Sequence, residues 1–208
     1  MIGQCNLFPP EPNLPLRQRV QVDLIPSSHA RFVLEKLHYL HRVRTGCQIH
    51  YAVSLDGVID GVITYAFPMT SSPICGIPSD ELVEFARMYL HSNVPNMATC
   101  AIGQTLKRVA KDWQRKHPEQ KPIHLVVSWS DTVHHIGTIY KASNFIWLRR
   151  CRGSVPGNAS TSKRGAREKH GDYKHDKDCW VYWLDAKEHE RQRKHLVRNV
   201  DKNDSLAD

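Results

Sequence analysis

KPIHLVVSWSDTVHHIGTIYKASNF, residues 121–145, is the stretch that decides how this chain folds. Ile123, Leu125, Val126 and Val127 form a short apolar run, as expected of a strand covered on both faces. The run stops at Ser128 and Asp131. Residues at helical spacing follow, HHIGTIYKASN, with Asp131 or Thr132 as the expected helix cap. A buried strand that hands over to a helix belongs to a layered α/β structure. In such sheets ligands bind beyond the carboxyl ends of the strands. Polar residues therefore collect at 128–135, where the sheet opens, and not where it is packed.

The flanking sequence extends this pattern in both directions. DELVEFARMYL (80–90) alternates Leu82, Glu84, Ala86 against Val83, Phe85, Arg87 and predicts a strand. NMATCAIGQTLKRVAKDWQRKH (96–117) predicts one long helix capped by Asn96, with an apolar stripe of Met97, Cys100, Ala101, Leu106, Val109, Ala110 and Trp113. Strand, helix, strand and helix in succession from 80 to 144 imply parallel neighbours joined by right-handed crossovers. Upstream, QRVQVDLIP (18–26) predicts a first strand. SSHARFVLEKLHYLH predicts a helix capped by Ser27 or Ser28, with Phe32, Val33, Leu37 and Leu40 on one face. Two further strands are split by Asp56–Gly57, a hairpin signal. Downstream, FIWLRRCRG and CWVYWLD (179–185) predict strands, with residues 152–178 between them aperiodic and rich in Gly, Ser, Asn and charge. The whole predicts an α/β fold with a mixed, partly parallel sheet flanked by helices on both faces. Residues 1–17 are expected to form an extended arm and 18–185 the catalytic domain, with a basic insertion at about 152–178. Residues 186–208 are expected to form a polar helix and a frayed tail.

Composition narrows the partners. The chain has 208 residues, 40% of them apolar, with a formal net charge of +8 and a pI of about 9.3. Such a surplus suggests an anionic partner, most often nucleic acid. No stretch approaches 18 uninterrupted apolar residues, and the N-terminus does not read as a secretory signal, so no membrane is expected and the cytoplasm is the expected location. Cysteines at 5, 47, 75, 100, 151 and 179 show neither CxxC nor regular spacing, which suits free thiols in a reducing compartment. HGDYKHDKD (170–178) reads first as a solvated loop and second as a place that could hold a metal, and no metal ligand is assigned.

Particular residues carry a resemblance. YKASNF resembles the end of the last helix of GNAT acyltransferases. His38–Tyr39, the hairpin end TYA.P at 64–68, EL..F.R at 81–87 and SWSD...H.GTIY.ASNF at 128–145 together resemble the Mom DNA-modification proteins of Mu-like bacteriophages. The likeness spans roughly residues 20–150 and is densest over 123–147. The family tends to have glycine before the histidine, where this chain has His134. The resemblance implies a GNAT-like fold. It also implies an enzyme that converts adenine in double-stranded DNA to N6-carbamoylmethyladenine in a bacterial host, shielding phage DNA from restriction.

Each site residue has a structural reading beside the role that the resemblance implies. Asp131 is a helix cap, or the carboxylate that accepts a proton from adenine N6 as it attacks. Tyr140 is a packing residue, or the donor of a proton to the leaving group or of a hydrogen bond to the oxyanion. Ser128 bonds the backbone, or positions substrate or donor. Taken singly, His38, Tyr39 and Tyr65 read as core or surface residues; as a set, the resemblance implies that His38 and Tyr39 border the acceptor cleft and that Tyr65 stacks on a flipped base. Arg87 is solvated or binds a phosphate or carboxylate. His135 caps, stacks or binds phosphate, and Asn144 is assigned to substrate binding.

The donor is a separate question. Acetyl-CoA-binding members of the fold carry R/Q-x-x-G-x-G/A ahead of the pyrophosphate-binding helix. This chain has HSNVPNMATCAIGQ, where Gly103 lies well inside the helical pattern. Glycyl-tRNA is therefore the favoured donor and acetyl-CoA the family default. Arg149, Arg150, Arg152, Lys163, Arg164, Arg167 and Lys169 are expected to hold the DNA backbone, with a solvated loop as the alternative. Double-stranded DNA is the expected partner, with tRNA as a second polyanion. Two rivals stand beside this reading: a GNAT enzyme acylating a protein or tRNA, and a DNA-binding protein without activity on a decayed GNAT scaffold.

Overall fold

Leu125, Val126 and Val127 are fully buried, as their unbroken apolar run requires. The structure is a computed structural model and describes residues 14–153 and 175–204. The chain divides into two compact units, Met1–Phe67 with Phe85–Gln120, and Pro68–Glu84 with Lys121–Asp208. The expected catalytic span 18–185 is shared between them.

The second unit is built around β5 (Leu125–Asp131). The first residues of β4 (Leu82–Leu90) lie parallel to it, pairing Leu82 with Leu125 and Glu84 with Val127. On its other edge β7 (Lys177–Trp183) runs antiparallel, Ser128 opposite Trp180. β6 (Ile146–Cys151) then pairs antiparallel with β7. Alternation splits these strands into two faces. Leu125, Val127, Cys179, Val181 and Trp183 form one apolar cluster with Leu82, Ile74 and Ile146. Ser128, Ser130, Trp180 and Tyr182 have the opposite parity. Two helices complete the unit, the short α5 (Thr138–Ala142) and α6 (Ala186–Asp204).

The first unit holds α1 (Leu16–Arg19), β1 (Val20–Leu24), α2 (Ser27–Leu37), β2 (Cys47–Leu55) and β3 (Val58–Ala66), then the remainder of β4 with α3 (Met97–Leu106) and α4 (Val109–Lys116). β1, β2 and β3 are antiparallel. Asp56 and Gly57 both have positive φ, the type I′ geometry that suits a two-residue hairpin, and Arg19 clasps the Asp56 carboxylate with two hydrogen bonds. Tyr51 donates to Asp112 Oδ2 at 2.8 Å, tying β2 to α4. In hydrogen-bonding order the strands run β1-β2-β3-β4-β5-β7-β6, a mixed sheet whose parallel pair is β4–β5, as expected.

Four local expectations are corrected. The first strand begins at Val20, because Leu16–Arg19 forms a helical turn. α2 starts behind Pro26, with no side-chain cap from a serine. It buries Ala30 and Leu34, with His38 beside them, and leaves Phe32 and Leu37 exposed. Helical periodicity allows several phases, and contact with β2 and β3 selects this one. The single long helix is two. They meet at Lys107 and Arg108, both still in the right-handed helical region, and the Arg108 guanidinium donates to the Val22 carbonyl, pairs with Asp112 and lies over the Tyr51 ring. Asn96 does stand at the start of α3, but through its left-handed backbone and not a side-chain cap. No described helix is long and apolar enough to cross a membrane.

Candidate active site

In the second unit, the face of β5 that carries Ser128 and Ser130 is organised by aromatic rings. Trp180 is buried and donates from Nε1 to Ser130 Oγ at 2.8 Å. Tyr140 stacks on Trp180, with centroids 5.3 Å apart and planes inclined by 10°. Ser128 Oγ donates to the Tyr140 hydroxyl at 3.0 Å. The phenol oxygen thus accepts a hydrogen bond from Ser128. A donor aimed at that oxygen also stabilises the charge that grows there as the proton leaves. Ser128 and Tyr140, both singled out from sequence, are therefore brought together, and a phenol so placed is a candidate proton donor.

The sequence YKASNF fixes Tyr140 through a helix end. Asn144 is left-handed, with φ of 61°. Its N–H donates to Lys141 O, and Phe145 N–H donates to Tyr140 O. This is a Schellman ending, and the ring contact between Phe145 and Tyr140 is the hydrophobic closure that accompanies it. Asparagine tolerates this conformation better than most residues. Asn144 therefore shapes the site through its backbone, and its side chain is exposed.

The turn before α5 also departs from expectation. Neither Asp131 nor Thr132 caps the helix, which begins six residues later behind Gly137. Asp131 Oδ1 accepts from Val133 N, and its carbonyl accepts from His134 N and His135 N. Asp131 lies three residues beyond Ser128 on the same strand, so alternation sends the two toward opposite faces. Its geometry is that of a turn anchor. Asp131→Asn keeps an acceptor at Oδ1 and should retain most activity, whereas a proton-accepting carboxylate would lose about 10²–10⁴ in rate on the same change. Asp131→Ala should destabilise by about 1 kcal/mol, read from chemical denaturation. His135 is exposed and lies near His134. Desolvation lowers its pKa, as does the adjacent His134, and the Asp131 charge opposes both.

The remaining residues expected to bind substrate lie in the first unit. Tyr65 is fully buried and shares a 2.7 Å hydrogen bond with Thr105, edge-on to Phe85. A ring so enclosed does not stack on a base, and its expected role is corrected to packing. His38 ends α2, accepts from Leu40 N and stacks on the exposed Tyr39. Arg87 is half-buried and donates to the Ala86 carbonyl. Among the basic residues, Arg149 and Arg152 are exposed, while Arg150 is held by both oxygens of Asp178. Lys163, Arg164, Arg167 and Lys169 lie outside the described residues. Among the described residues, no group of His, Cys, Asp and Glu is arranged to hold a metal ion.

Two buried polar residues were not singled out from sequence. Glu84 on β4 is buried and accepts from Met69 N at 3.1 Å, in the second unit. His50 on β2 is buried, and neither ring nitrogen meets a partner among the described residues. Burial lowers the His50 pKa to about 4, assisted by Lys116. The unfolded chain takes up this proton below its ordinary pKa, and the folded chain does not until near pH 4. The stabilisation is complete above about pH 6.5 and is lost progressively as pH falls toward 4, amounting to up to about 3 kcal/mol. Denaturation midpoints measured across that window should fall with pH, and His50→Leu should flatten the slope. Glu84 and His50 both look like surface residues in a one-dimensional reading, since only the sheet register reveals which face they occupy.

Comparison with known proteins identifies the architecture. The spermidine/spermine N-acetyltransferase SpeG from Vibrio cholerae superposes with a TM-score of 0.50 at 8% identity, covering 82% of this chain and 95% of that one. An acetyltransferase from Salmonella typhimurium that modifies the N-terminal serine of ribosomal protein L7/L12 gives 0.50 at 12%, covering 82% and 98%. RimL, the ribosomal L7/L12 alpha-N-protein acetyltransferase in complex with coenzyme A, gives 0.52 at 12%, covering 83% and 98%. At these identities the likeness shows the fold, which is that of the GNAT acetyltransferases. No curated protein matches the chain by sequence. A sequence model of the Mom protein family matches residues 19–205.

Proposed function

The chain belongs to the Mom protein family, and from that premise we propose that it is a DNA-modifying transferase of acyl type that converts adenine in double-stranded DNA to N6-carbamoylmethyladenine. The observation that carries the reading is the Ser128–Tyr140 hydrogen bond, set on the Trp180 ring at the carboxyl end of β5 in an acetyltransferase fold. Adenine N6 is a weak nucleophile, because its lone pair is delocalised into the ring. Transfer therefore needs a well-activated carbonyl and a proton for the leaving group. Tyr140 donates that proton, and Ser128 supports the phenolate oxygen that results. The target base leaves the stack to reach such a site.

The fold supports an acyl-CoA as one donor, as coenzyme A bound to RimL illustrates. The entry to α3 in this chain favours an aminoacyl ester, glycyl-tRNA. It reads Val94–Pro95–Asn96–Met97, with no glycine to let a pyrophosphate approach the backbone closely. Glycyl transfer also accounts for the atoms of the product. N6 attacks the glycyl carbonyl and loses a proton, and the tRNA hydroxyl leaves with one. The glycyl amine then attacks ring C6, closing a five-membered ring. Breaking the original C6–N6 bond leaves the glycine nitrogen on C6 and the former N6 as the amide. The two adducts are isomers, so no further reactant is needed. Such a base would shield DNA from restriction enzymes that read adenine N6.

Mass spectrometry of nucleosides tests this. DNA from cells expressing the chain should contain adenosine heavier by the carbamoylmethyl group. In reconstitution with purified protein and duplex, nitrogen-labelled glycyl-tRNA should put its label on the nitrogen attached to C6. Product formed from acetyl-CoA with a separate nitrogen source, and without glycine label, would replace the aminoacyl donor with a thioester. An unaltered adenosine pool would remove the DNA assignment altogether.

A further inference from the structure

The turn between β5 and α5 carries two apolar side chains that the chemistry above does not use. Ile136 is 84% exposed, the highest value among the large hydrophobic residues of the described chain, and Val133 is 61% exposed. A loose loop could shed such residues against itself, but this one is pinned. Thr132 bonds the Asp176 carbonyl through both its N–H and its hydroxyl. Asp131 holds Val133, His134 and His135 through the three bonds described above. Gly137 closes the turn against Trp180 in a conformation of positive φ. Two β-branched side chains are thus presented outward from an ordered turn, directly before the helix that carries Tyr140.

The charges around this turn indicate what it meets. Strand register puts Asp131 opposite Lys177, and Lys177 opposite Cys151, so the ends of β5 and β6 and the start of β7 share one end of the sheet. Lys141, Arg149 and Arg152 are exposed on the adjoining elements, and His134, His135 and His175 cluster at the turn. Arg150 is neutralised by Asp178, and Asp176 accepts from Gly153 N. Asp131 and Asp176 are thus set against Lys141, Arg149, Arg152 and Lys177. An apolar tip inside a cationic rim suits a duplex, whose charged backbones flank stacked apolar bases.

We infer that Val133 and Ile136 form a wedge that enters the DNA stack beside the target adenine and fills the space the extruded base leaves. The inference rests on the proposed action on duplex adenine. It assigns a specificity for paired DNA to a turn with no part in the chemistry. Aliphatic side chains inserted at base steps unstack duplexes in other DNA-binding proteins, and extrusion of a paired base costs a few kcal/mol, least when the base is already unpaired.

The test compares wild type with the Val133→Ala/Ile136→Ala double variant on two substrates. One is a fully paired duplex. The other is the same duplex with its adenines opposite abasic sites. The variant should lose about tenfold or more in single-turnover modification of the paired duplex and little on the unpaired one. Equal loss on both, or no loss on either, overturns the wedge. A second readout needs no chemistry. A duplex with 2-aminopurine at its adenine positions should brighten on binding wild type, and much less on binding the variant. If no adenine is modified but the brightening is present and depends on Val133 and Ile136, the wedge stands while the proposed reaction falls. If wild type binds the duplex without brightening, the wedge is wrong and these residues serve another surface, such as a protein partner.

Discussion

Tyr140→Phe should lower adenine modification by about 10²–10⁴ while leaving the fold intact. The substitution removes one oxygen. Its ring keeps the stack on Trp180 and the edge contact with Phe145, because both depend on the aromatic face and edge and not on the hydroxyl. The Schellman ending of α5 is formed by backbone groups and is likewise untouched. What disappears is the hydroxyl that Ser128 bonds, and with it the proton proposed for the leaving group. Thermal denaturation should therefore show a small shift, and single-turnover kinetics a large one. Ser128→Ala should reproduce part of the loss, since the phenol then lacks the Ser128 hydrogen bond. A Tyr140→Phe protein that folds and modifies DNA at the wild-type rate would move the chemistry to other residues.

The second large effect is expected at Gly137. Its φ is +77°, where side chains are strained, and a Cβ there would strike Trp180 Cζ2 and lie 2.8 Å from Cη2. Trp180 has little room to yield. It is buried, its indole N–H is bonded to Ser130 and its ring is stacked with Tyr140. Gly137→Ala should therefore destabilise the protein by about 1–3 kcal/mol. It should also displace the ring on which Tyr140 rests, reducing activity beyond the loss of folded protein. Intrinsic tryptophan fluorescence and denaturation midpoints report the first effect, and the rate per folded molecule the second. A variant with native stability and native rate would mean that the indole and the turn are not coupled.

Much of this was legible in the chain alone. Apolar runs and period-two alternation determined the strands at 47–55, 58–66, 82–90 and 125–131, because burial on one or both faces leaves its period in the residues. Asp56–Gly57 determined the hairpin, because a two-residue turn of that hand admits few others. The block from Ser128 to Phe145 determined the family, and it contains both partners of the hydrogen bond on which the proposed chemistry depends. Tertiary structure decided the rest, wherever several local solutions have similar energy. The phase of α2 was set by the sheet it covers. The long helical stretch divides at Arg108, whose partners Val22 and Tyr51 are far away in sequence. Tyr65, read as a residue that meets a base, is enclosed because Thr105 and Phe85 close over it. Asp131 and Tyr140 are near neighbours in sequence, yet strand alternation separates the first from the face where the second acts. A sequence records which residues have to be buried or turned. Which side chains meet depends on register and on long-range contacts, and those exist only once the sheet has formed.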